Sequence, residues 1–475
     1  MSRRLLLSAL GRRGDRRAAV SSKRSLATSG SGSGFDLRFG QPVHETHPHV
    51  LKAGERNAVT PGISAHEYAD RRAALAHALD SGSVAVLPSA TLRYKSGAVF
   101  YPFRQETNLF WLTGWDEPEA VAVIEKTGSR LGDYLFRLFV RPKDAFQELW
   151  NGYRNGVDAA TEFFNADEAY DINAVKSTLP DILASAEHVY ADRVNSGGMD
   201  MHDLFTSVVS KTKPLSPLVE GLRVIKSPAE VENMRRAGRA SGRALTNAMR
   251  TAWDSERHLH AFLDYQFVTN GCDGTAYVPV VAGGDRANCI HYTANNDVFR
   301  DGQLILVDAG GECGSYVTDI SRTWPVSGRF SPAQRDLYEA VLRVQRHGVG
   351  LCRESANTSL NEIHKVTEDK LQAELRDLGF EKSMMGQLFP HHVGHYVGLD
   401  VHDCSSVSRS QKLRKGHCLT IEPGVYVPDE AGWPQHFRGM GIRIEDSVCV
   451  DQDSPLILTT EAVKEVVDIE ALRSQ

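Results

Sequence analysis

The stretch LILVDAGG at residues 304–311 decides the fold, because it has the composition of a buried strand that runs into a glycine turn. The chain returns as YVTDISR at residues 316–322, so the two segments together predict a hairpin. That hairpin would place Asp308 and Asp319 side by side in an apolar sheet. Two adjacent buried carboxylates repel each other unless a cation lies between them. These two residues alone leave two readings open, a metal site and a pair of ordinary strand-end aspartates.

Residues 391–403, HHVGHYVGLDVHD, hold four histidines within a short segment. Its glycines and β-branched residues favour loop and strand over helix, and we expect a strand at residues 397–401. Four histidines are too many for an ordinary core segment. The segment therefore predicts metal binding or catalysis, with His395 as the metal ligand.

Two glutamates complete the set. Glu422 ends an apolar run before a Pro-Gly turn, and Glu445 lies in GIRIED at residues 441–446, where strand alternation puts it on one face with Arg443. The predicted metal ligands are four carboxylates and one imidazole: Asp308, Asp319, His395, Glu422 and Glu445. This set suits two divalent ions such as Mn²⁺ better than Zn²⁺ in a thiolate site. Two metals about 3.5–4 Å apart can activate water for hydrolysis.

Composition limits the classes of protein. The length of 475 residues predicts about two to three domains, and 24% charged residues is typical of a globular protein. Residues 1–26 hold eight Lys or Arg and one acid, a net charge of +7. Since the whole chain has a net charge of −6, the remaining residues carry about −13. An acidic body argues against nucleic-acid binding. No apolar run reaches the roughly 20 residues of a membrane span.

The seven cysteines all lie after residue 270, their number is odd, and no Cys-x-x-Cys occurs. This pattern predicts reduced thiols in an intracellular compartment. It argues against both a disulfide scaffold and a thiolate zinc site.

The first 34 residues are rich in Arg, Ser, Ala and Leu and nearly free of acids. This composition predicts a mitochondrial transit peptide, with a disordered basic tail as the alternative. Residues 24–27, RSLA, resemble a matrix-processing site, which implies a mature start near Leu26 or Ala27. The repeat Ser-Gly at residues 29–34 predicts a flexible spacer before the folded part.

Two further domains are predicted, one at residues 35–221 and one at residues 222–475. The first alternates short strands and helices, which favours an α/β fold. At the boundary, Ser227 and Glu230 form the pattern of a capping box around Pro228, which predicts the start of a long helix.

The second domain resembles the pita-bread metallopeptidase fold, which methionine aminopeptidases, prolidases, aminopeptidase P and creatinases share. The matching motifs are Asp308 with Asp319, residues 391–402, IEPGVY at 421–426, GIRIED at 441–446, and NCIHY at 288–292. The resemblance implies an α/β (α+β) fold class and a hydrolase.

The first domain resembles the N-terminal domain of aminopeptidase P. The resemblance rests on YPFRQETNLFWLTGW at residues 101–115, EPEA at 117–120 and WNGYR at 150–154. With the transit peptide, it points to the mitochondrial branch of that family. That branch includes an enzyme that trims one bulky residue from imported proteins after presequence removal.

The resemblance implies a role for each ligand. Asp308 would chelate one metal, Asp319 and Glu445 would bridge the two, and His395 and Glu422 would hold the other. Glu422 would also move a proton between the water and the leaving amine.

Four more residues receive roles from the resemblance. His291, His391 and His402 would surround the substrate, one of them donating to the developing oxyanion. Arg443 would orient Glu445 or other carboxylates behind the metals.

The implied activity is removal of the N-terminal residue from peptides or imported mitochondrial proteins, at Xaa-Pro bonds or at bulky residues. The resemblance also implies two divalent metals, a homodimer and a place in the mitochondrial matrix, with a second nuclear pool left open. A prolidase that cleaves only Xaa-Pro dipeptides is one alternative. The other is a creatinase-like or catalytically inactive member of the fold, which would lack the full ligand set. A single-domain methionine aminopeptidase is disfavoured by the additional first domain.

Overall fold

The computed structural model describes residues 38–51, 57–192 and 201–473. The predicted transit peptide and spacer at residues 1–34 lie outside the described residues. Residues from Gly40 onward form one compact unit, and the domain boundary near residue 222 stays a prediction. Among the described residues, no helix combines the length and the apolar character needed to cross a membrane.

A six-stranded mixed sheet organises the first half of the chain. The strands of this half are β1 Ala58–Thr60, β2 Ile63–Ser64, β3 Ser83–Pro88, β4 Tyr94–Ser96, β5 Val99–Phe100, β6 Val121–Lys126, β7 Tyr134–Val140, β8 Glu168–Asp171, β9 His188–Tyr190 and β10 Thr212–Lys213. The sheet order is β10-β9-β3-β6-β7-β8, with β6 antiparallel to both neighbours and the outer pairs parallel. Strands β3 and β6 are apolar along most of their length and form its buried centre.

Short helices cover this sheet and lead into the second half. They are α1 Ala65–Ala78, α2 Thr107–Thr113, α3 Ala145–Asn151, α4 Gly156–Glu162, α5 Val175–Ser185, α6 His202–Thr206 and α7 Ser216–Arg223. Helix α2 begins with the Glu106 carboxylate accepting the amide of Leu109 at 2.7 Å, which caps its first turn.

Four small antiparallel sheets form the centre of the second half. Their strands are β11 Gly274–Thr275, β12 Val280–Gly283, β13 Leu304–Asp308, β14 Gly311–Cys313, β15 Tyr316–Val317, β16 Ser321–Pro325, β17 Cys418–Ile421, β18 Gly424–Tyr426, β19 Gly441–Arg443, β20 Asp446–Cys449 and β21 Leu456–Ile457. The orders are β11-β14-β15, β12-β13-β16, β17-β20-β21 and β18-β19. The predicted hairpin is confirmed, because β13 pairs with β16 in antiparallel register.

Six helices accompany these sheets: α8 Pro228–Arg250, α9 Glu256–Thr269, α10 Pro332–Gly350, α11 Leu360–Asp377, α12 Met385–Leu388 and α13 Val466–Leu472, counted over the described residues. The predicted capping box is confirmed, since Ser227 and Glu230 exchange hydrogen bonds at the start of α8. A large apolar core joins the helices to the sheets.

Two smaller predictions have opposite outcomes. All seven cysteines are free thiols, as predicted. The strand expected at residues 397–401 is wrong, because this segment forms bends, with only an isolated bridge between Tyr396 and Leu419 beside it.

Candidate metal centre

The hairpin brings Asp308 and Asp319 together on neighbouring strands. Asp308 is the last residue of β13 and lies opposite Ser321 in the register. Asp319 precedes β16, and its backbone amide donates to the hydroxyl of Ser447 at 3.0 Å. The irregular residues before β16 therefore turn Asp319 towards Asp308 instead of continuing the strand.

The hydroxyl of Tyr277 joins the two aspartates. It lies 2.6 Å from Oδ1 of Asp308 and also hydrogen-bonds Oδ1 of Asp319. Tyr277 lies between β11 and β12, so two different sheets fix its position. A hydroxyl carries one proton and no charge, and it therefore sets the spacing of the carboxylates without neutralising them.

His395 links Asp319 to Glu422. Its Nε2 lies 3.5 Å from Oδ2 of Asp319 and 3.4 Å from Oε1 of Glu422. Its Nδ1 lies 3.0 Å from the carbonyl oxygen of Tyr396, so Nδ1–H donates there and Nε2 faces the carboxylates. Glu422 follows β17, and its amide donates to the carbonyl of Val393 at 2.8 Å.

Glu445 completes the cluster from the segment between β19 and β20. Its Oε2 accepts a hydrogen bond from the hydroxyl of Ser321 at 2.7 Å, whereas its buried Oε1 has no hydrogen-bond partner among the described residues. One ligand atom from each of Asp319, His395 and Glu445 lies within 4.8 Å of the other two. A buried carboxylate oxygen of this kind is costly unless a cation meets it. The donor set, oxygens with one imidazole, fits divalent metal ions.

The charges within the cluster do not balance. Burial and the neighbouring Asp319 raise the pKa of Asp308 to about 6, and burial raises the pKa of Glu422 to about 7. Burial and the charges of Asp319 and Glu422 raise the pKa of Glu445 well above its usual range. Burial opposes the charge of His395, but Asp319 and Glu422 prevail and raise its pKa to about 9. The cluster thus has a surplus of negative charge that bound cations would offset.

Arg443 is the buried cation of the protein beside this cluster. It donates to Oδ2 of Asp308 at 2.7 Å, to the hydroxyl of Ser321 at 2.7 Å and to the hydroxyl of Tyr426 at 2.8 Å. Its direct carboxylate partner is therefore Asp308, and it reaches Glu445 only through Ser321. One guanidinium leaves most of the negative charge uncompensated.

Tyr426 extends the contacts of Arg443 to His391. The hydroxyl of Tyr426 lies 2.9 Å from Nε2 of His391, whose Nδ1 lies 2.8 Å from the carbonyl oxygen of His392. Burial and the charge of Arg443 lower the pKa of His391 to about 4. The neutral ring donates through Nδ1 and accepts from Tyr426 through Nε2, and its Nδ1 is 3.9 Å from Oε2 of Glu422.

His402 and His291 lie on the accessible side of the cluster. The ring of His402 packs edge-on against His395, with centroids 4.4 Å apart. Burial and the charge of His395 lower the pKa of His402, and the exposed His291 is near enough to contribute. A cavity of about 380 Å³ opens beside His395 and His402 and is walled by residues 403–409. The cluster is thus reachable by a ligand from this side.

The structure therefore brings the five predicted ligands together, with Arg443 and His391 behind them and His402 at the cavity. Tyr277 and Ser321 were missed by the sequence reasoning. Neither has a local signal, because a tyrosine before a strand is usually a core residue and a serine on a strand is common. The spacing of Ser321 two residues after Asp319 is the one pattern that could have drawn attention to it.

Comparison with known families matches both halves of the chain. Residues 232–452 match the model of metallopeptidase family M24, and residues 68–190 match the model of the aminopeptidase P N-terminal domain. All five predicted ligands lie within the first of these matches.

Relatives match over nearly the full length. The chain is 46% identical to intermediate cleaving peptidase 55 of Saccharomyces cerevisiae, over 91% of this chain and 88% of the relative. It is 40% identical to Xaa-Pro aminopeptidase 3 of Homo sapiens (92% and 91%), and 37% identical to mitochondrial intermediate cleaving peptidase 55 of Arabidopsis thaliana (91% and 87%). The crystal structure of Icp55 from Saccharomyces cerevisiae, lacking its N-terminal 58 residues, superposes with a TM-score of 0.83 at 45% identity. That match covers 88% of this chain and 99% of the other.

Proposed function

Since the chain belongs to metallopeptidase family M24 and is a metal-dependent aminopeptidase, we propose that it removes one N-terminal residue from mitochondrial proteins whose presequence has been cleaved. The observation that carries the proposal is the buried carboxylate cluster with surplus negative charge beside an open cavity. The similarity to intermediate cleaving peptidases supports the choice of substrate.

The proposed cofactors are two divalent cations, with Mn²⁺ as the preferred ion, held by Asp308, Asp319, His395, Glu422 and Glu445. Hard oxygen donors with one imidazole suit Mn²⁺. When bound, such ions supply an activated water and polarise the peptide carbonyl. The unpartnered Oε1 of Glu445 is the atom that most clearly fits a bound cation.

The proposed chemistry of the protein groups follows from where they lie. Glu422 lies at the edge of the cluster, 3.4 Å from His395, where it can pass a proton to the leaving amine. His402 borders the cavity and donates to the carbonyl oxygen as this gains charge. His291, on the exposed side, holds the peptide chain.

His391 and Arg443 are proposed to act through their neighbours. Both ring nitrogens of His391 are engaged, by Tyr426 and by a backbone carbonyl, so contact with substrate requires release of the Tyr426 hydroxyl. Arg443 fixes Asp308 directly, which favours the ionised carboxylate and holds it in one orientation.

The protein is mitochondrial, and we propose the matrix as its compartment, reached through the transit peptide predicted at residues 1–34. No observation supports a separate nuclear pool, and it forms no part of the proposal.

A homodimer is also proposed. Apolar side chains in and just after helix α3 are not covered by the described residues. They are between 52% and 78% exposed: Phe146, Leu149, Trp150 and Tyr153. Phe146, Leu149 and Trp150 lie on one side of the helix, and Tyr153 follows the turn at Gly152. Exposed apolar side chains grouped in this way mark an interaction surface. Sedimentation of the wild type and of Trp150→Asp tests it, with dissociation of the variant as the expected result.

A general Xaa-Pro aminopeptidase is the second candidate. The match to the aminopeptidase P N-terminal domain and the human relative favour it. The prolidase and binding-module alternatives have no observation in their favour.

The test is Mn²⁺-dependent release of the N-terminal residue from two peptide sets. One set carries proline second, and the other begins with Tyr, Leu or Phe before a residue other than proline. Release from the bulky set supports trimming after presequence cleavage, whereas release confined to the proline set supports the second candidate. Glu422→Gln is the control and should be inactive on both sets; equal activity of this variant would refute the proposed site.

A further inference from the structure

His402 lies on a loop that has no regular structure of its own. Residues 398–402 form bends, and the amide of Gly398 donates to the carbonyl of Asp400 at 3.0 Å. A strand or helix would fix the direction of His402, but this loop cannot do so alone. Contacts from elsewhere in the chain must therefore hold His402 beside His395.

Asp403, the next residue, is the anchor of the loop. Its carboxylate accepts hydrogen bonds from Arg223 and, at 2.7 Å, from Nζ of Lys226. Arg223 also lies 3.2 Å from Oδ2 of Asp400. Arg223, Lys226 and Asp403 are almost fully buried. Two cations thus meet two carboxylates of the same loop, and the cluster is neutral without any added ion.

The anchor extends into the first half of the chain. Three residues in and just before the first turn of helix α2 contact it. Arg104, before the helix, donates to the carbonyl of Leu399. Within the helix, Thr107 Oγ1 donates to Asp400 Oδ1 at 2.8 Å, and Asn108 Oδ1 accepts from Arg223 at 2.5 Å. Residues that precede the catalytic half therefore hold a loop of that half in place. We call Arg104, Thr107, Asn108, Arg223, Lys226, Asp400 and Asp403 the loop clamp.

We propose that the loop clamp positions His402, so that Thr107 and Arg223, which touch neither metal ligand nor cavity, are positioning residues for the reaction. The inference rests on the proposed function, because it takes His402 to contact the substrate. A donor must lie within a fraction of an ångström of the developing charge to be effective. The first half of the chain would then contribute to catalysis by fixing a residue of the second half.

Thr107 offers the cleanest test, because it is only partly buried and donates one hydrogen bond to the loop. Replacing Arg223 would instead leave the buried Asp403 with only one of its two cations. Thr107→Val, His402→Ala and the double variant form a cycle, measured as kcat and KM on the peptide that the wild type cleaves. Thr107→Val should lower kcat about 10-fold, less than the about 10²-fold that a 1 Å misplacement can cost. It should have no further effect in the His402→Ala background. Thr107→Ser should restore the wild-type kcat.

Trp111→Phe is the matched control. Trp111 lies on the same helix α2 and makes a buried contact with the second half, donating to Glu230 at 2.9 Å, but it does not touch the loop. This variant should leave kcat within about 2-fold, since its hydrogen bond is structural. Hydrogen exchange of residues 398–404 should speed up in Thr107→Val and stay unchanged in Trp111→Phe.

Equal loss of kcat from Thr107→Val in both backgrounds would overturn the inference while leaving the proposed function intact. An unchanged rate in His402→Ala would also overturn it, because nothing would then depend on the position of His402. No hydrolysis by the metal-loaded wild type would instead overturn the proposed function, and this inference with it.

Discussion

Glu445 and Asp446 are adjacent in sequence, yet their surroundings differ completely. Asp446 accepts hydrogen bonds from Arg322 at 2.8 Å and from Lys464 at 2.5 Å, whereas the side chain of Glu445 accepts only from the hydroxyl of Ser321. Burial opposes ionisation of both. Arg322 and Lys464 nevertheless hold the pKa of Asp446 well below its usual range, while that of Glu445 lies well above.

The difference shows which buried carboxylates find their cationic partners within the chain. Asp446 has two cationic partners in the protein, Arg322 and Lys464. Its further hydrogen bonds, to Gln345 and Thr459, hold β20 against helix α10 and the C-terminal segment. The face that carries Glu445 has more carboxylates than cations. A buried charge without a partner is costly, so such a face implies an ion from solution.

The largest effect on activity should come from removing one of the proposed metal ligands around Glu445. Asp319→Ala should lower kcat by about 10³-fold or more, the upper range for a single electrostatic group in an active site. Bound metal, measured by elemental analysis, should fall in parallel. Asp446→Asn should retain bound metal if it folds, and equal metal content in both variants would break the comparison.

The next largest effect should be the loss of stability when Asp446 is replaced. Asp446→Ala leaves Arg322 buried and unpaired, which should cost about 3–5 kcal/mol of unfolding free energy. Added Mn²⁺ should not restore it, because the lost partner is not a metal ligand. Denaturant unfolding with and without metal measures this, and a Glu445→Gln variant that is equally destabilised in the absence of metal would contradict it.

The pH dependence of the metal-free protein should separate the two faces further. The raised pKa values of Asp308, about 6, and Glu422, about 7, mean that their contribution to stability is full below pH 4 and is lost as pH rises through 6 and 7. The lowered pKa of Asp446 acts only in acid, where stability is lost as pH falls. The melting temperature in chelator should therefore fall between about pH 4 and 7, and excess Mn²⁺ should remove most of that fall. A flat profile in chelator would contradict the surplus charge.

The smallest effects should come from two tyrosines. Tyr277→Phe removes the hydroxyl that joins Asp308 and Asp319, which should weaken metal binding about 10–100-fold, as loss of a supporting contact does. Tyr338→Phe removes a buried hydroxyl that donates to the carbonyl of Lys464 at 2.7 Å on the other face. It should cost about 1 kcal/mol of stability without changing metal affinity. Metal titration measures the affinity of both variants. Similar affinities would refute the role of the Tyr277 hydroxyl in supporting the metal site.

That the five proposed ligands lie close together could be predicted from sequence, because each is tied to a local pattern. Asp308 ends an apolar strand, Glu422 follows another, and alternation places Glu445 with Arg443. What could not be predicted is the direct partner of Arg443, which is Asp308, 135 positions earlier. Such a contact depends on how separate sheets pack, and no local pattern records that.

The error at residues 397–401 has the same origin. Val397 and Val401 favour a strand by propensity, but Asp403 is held by Arg223, 180 positions earlier, and this contact bends the chain. Tyr277 was missed because its role exists only once two sheets meet. At residues 397–401 a tertiary contact overrides the local strand propensity. At Tyr277 the packing of two sheets creates a role that no local propensity indicates.

The sequence separation within the loop clamp has a consequence for folding order. Thr107 and Asp400 are 293 positions apart. Contacts over such distances close late, after the local elements have formed, and a chain is synthesised from its N-terminus. The sheet of the first half can therefore form while Arg223 still lies in water. Arg223 meets its buried carboxylate partner only when the last quarter of the chain delivers Asp403, so the position proposed for His402 is reached only at this late step.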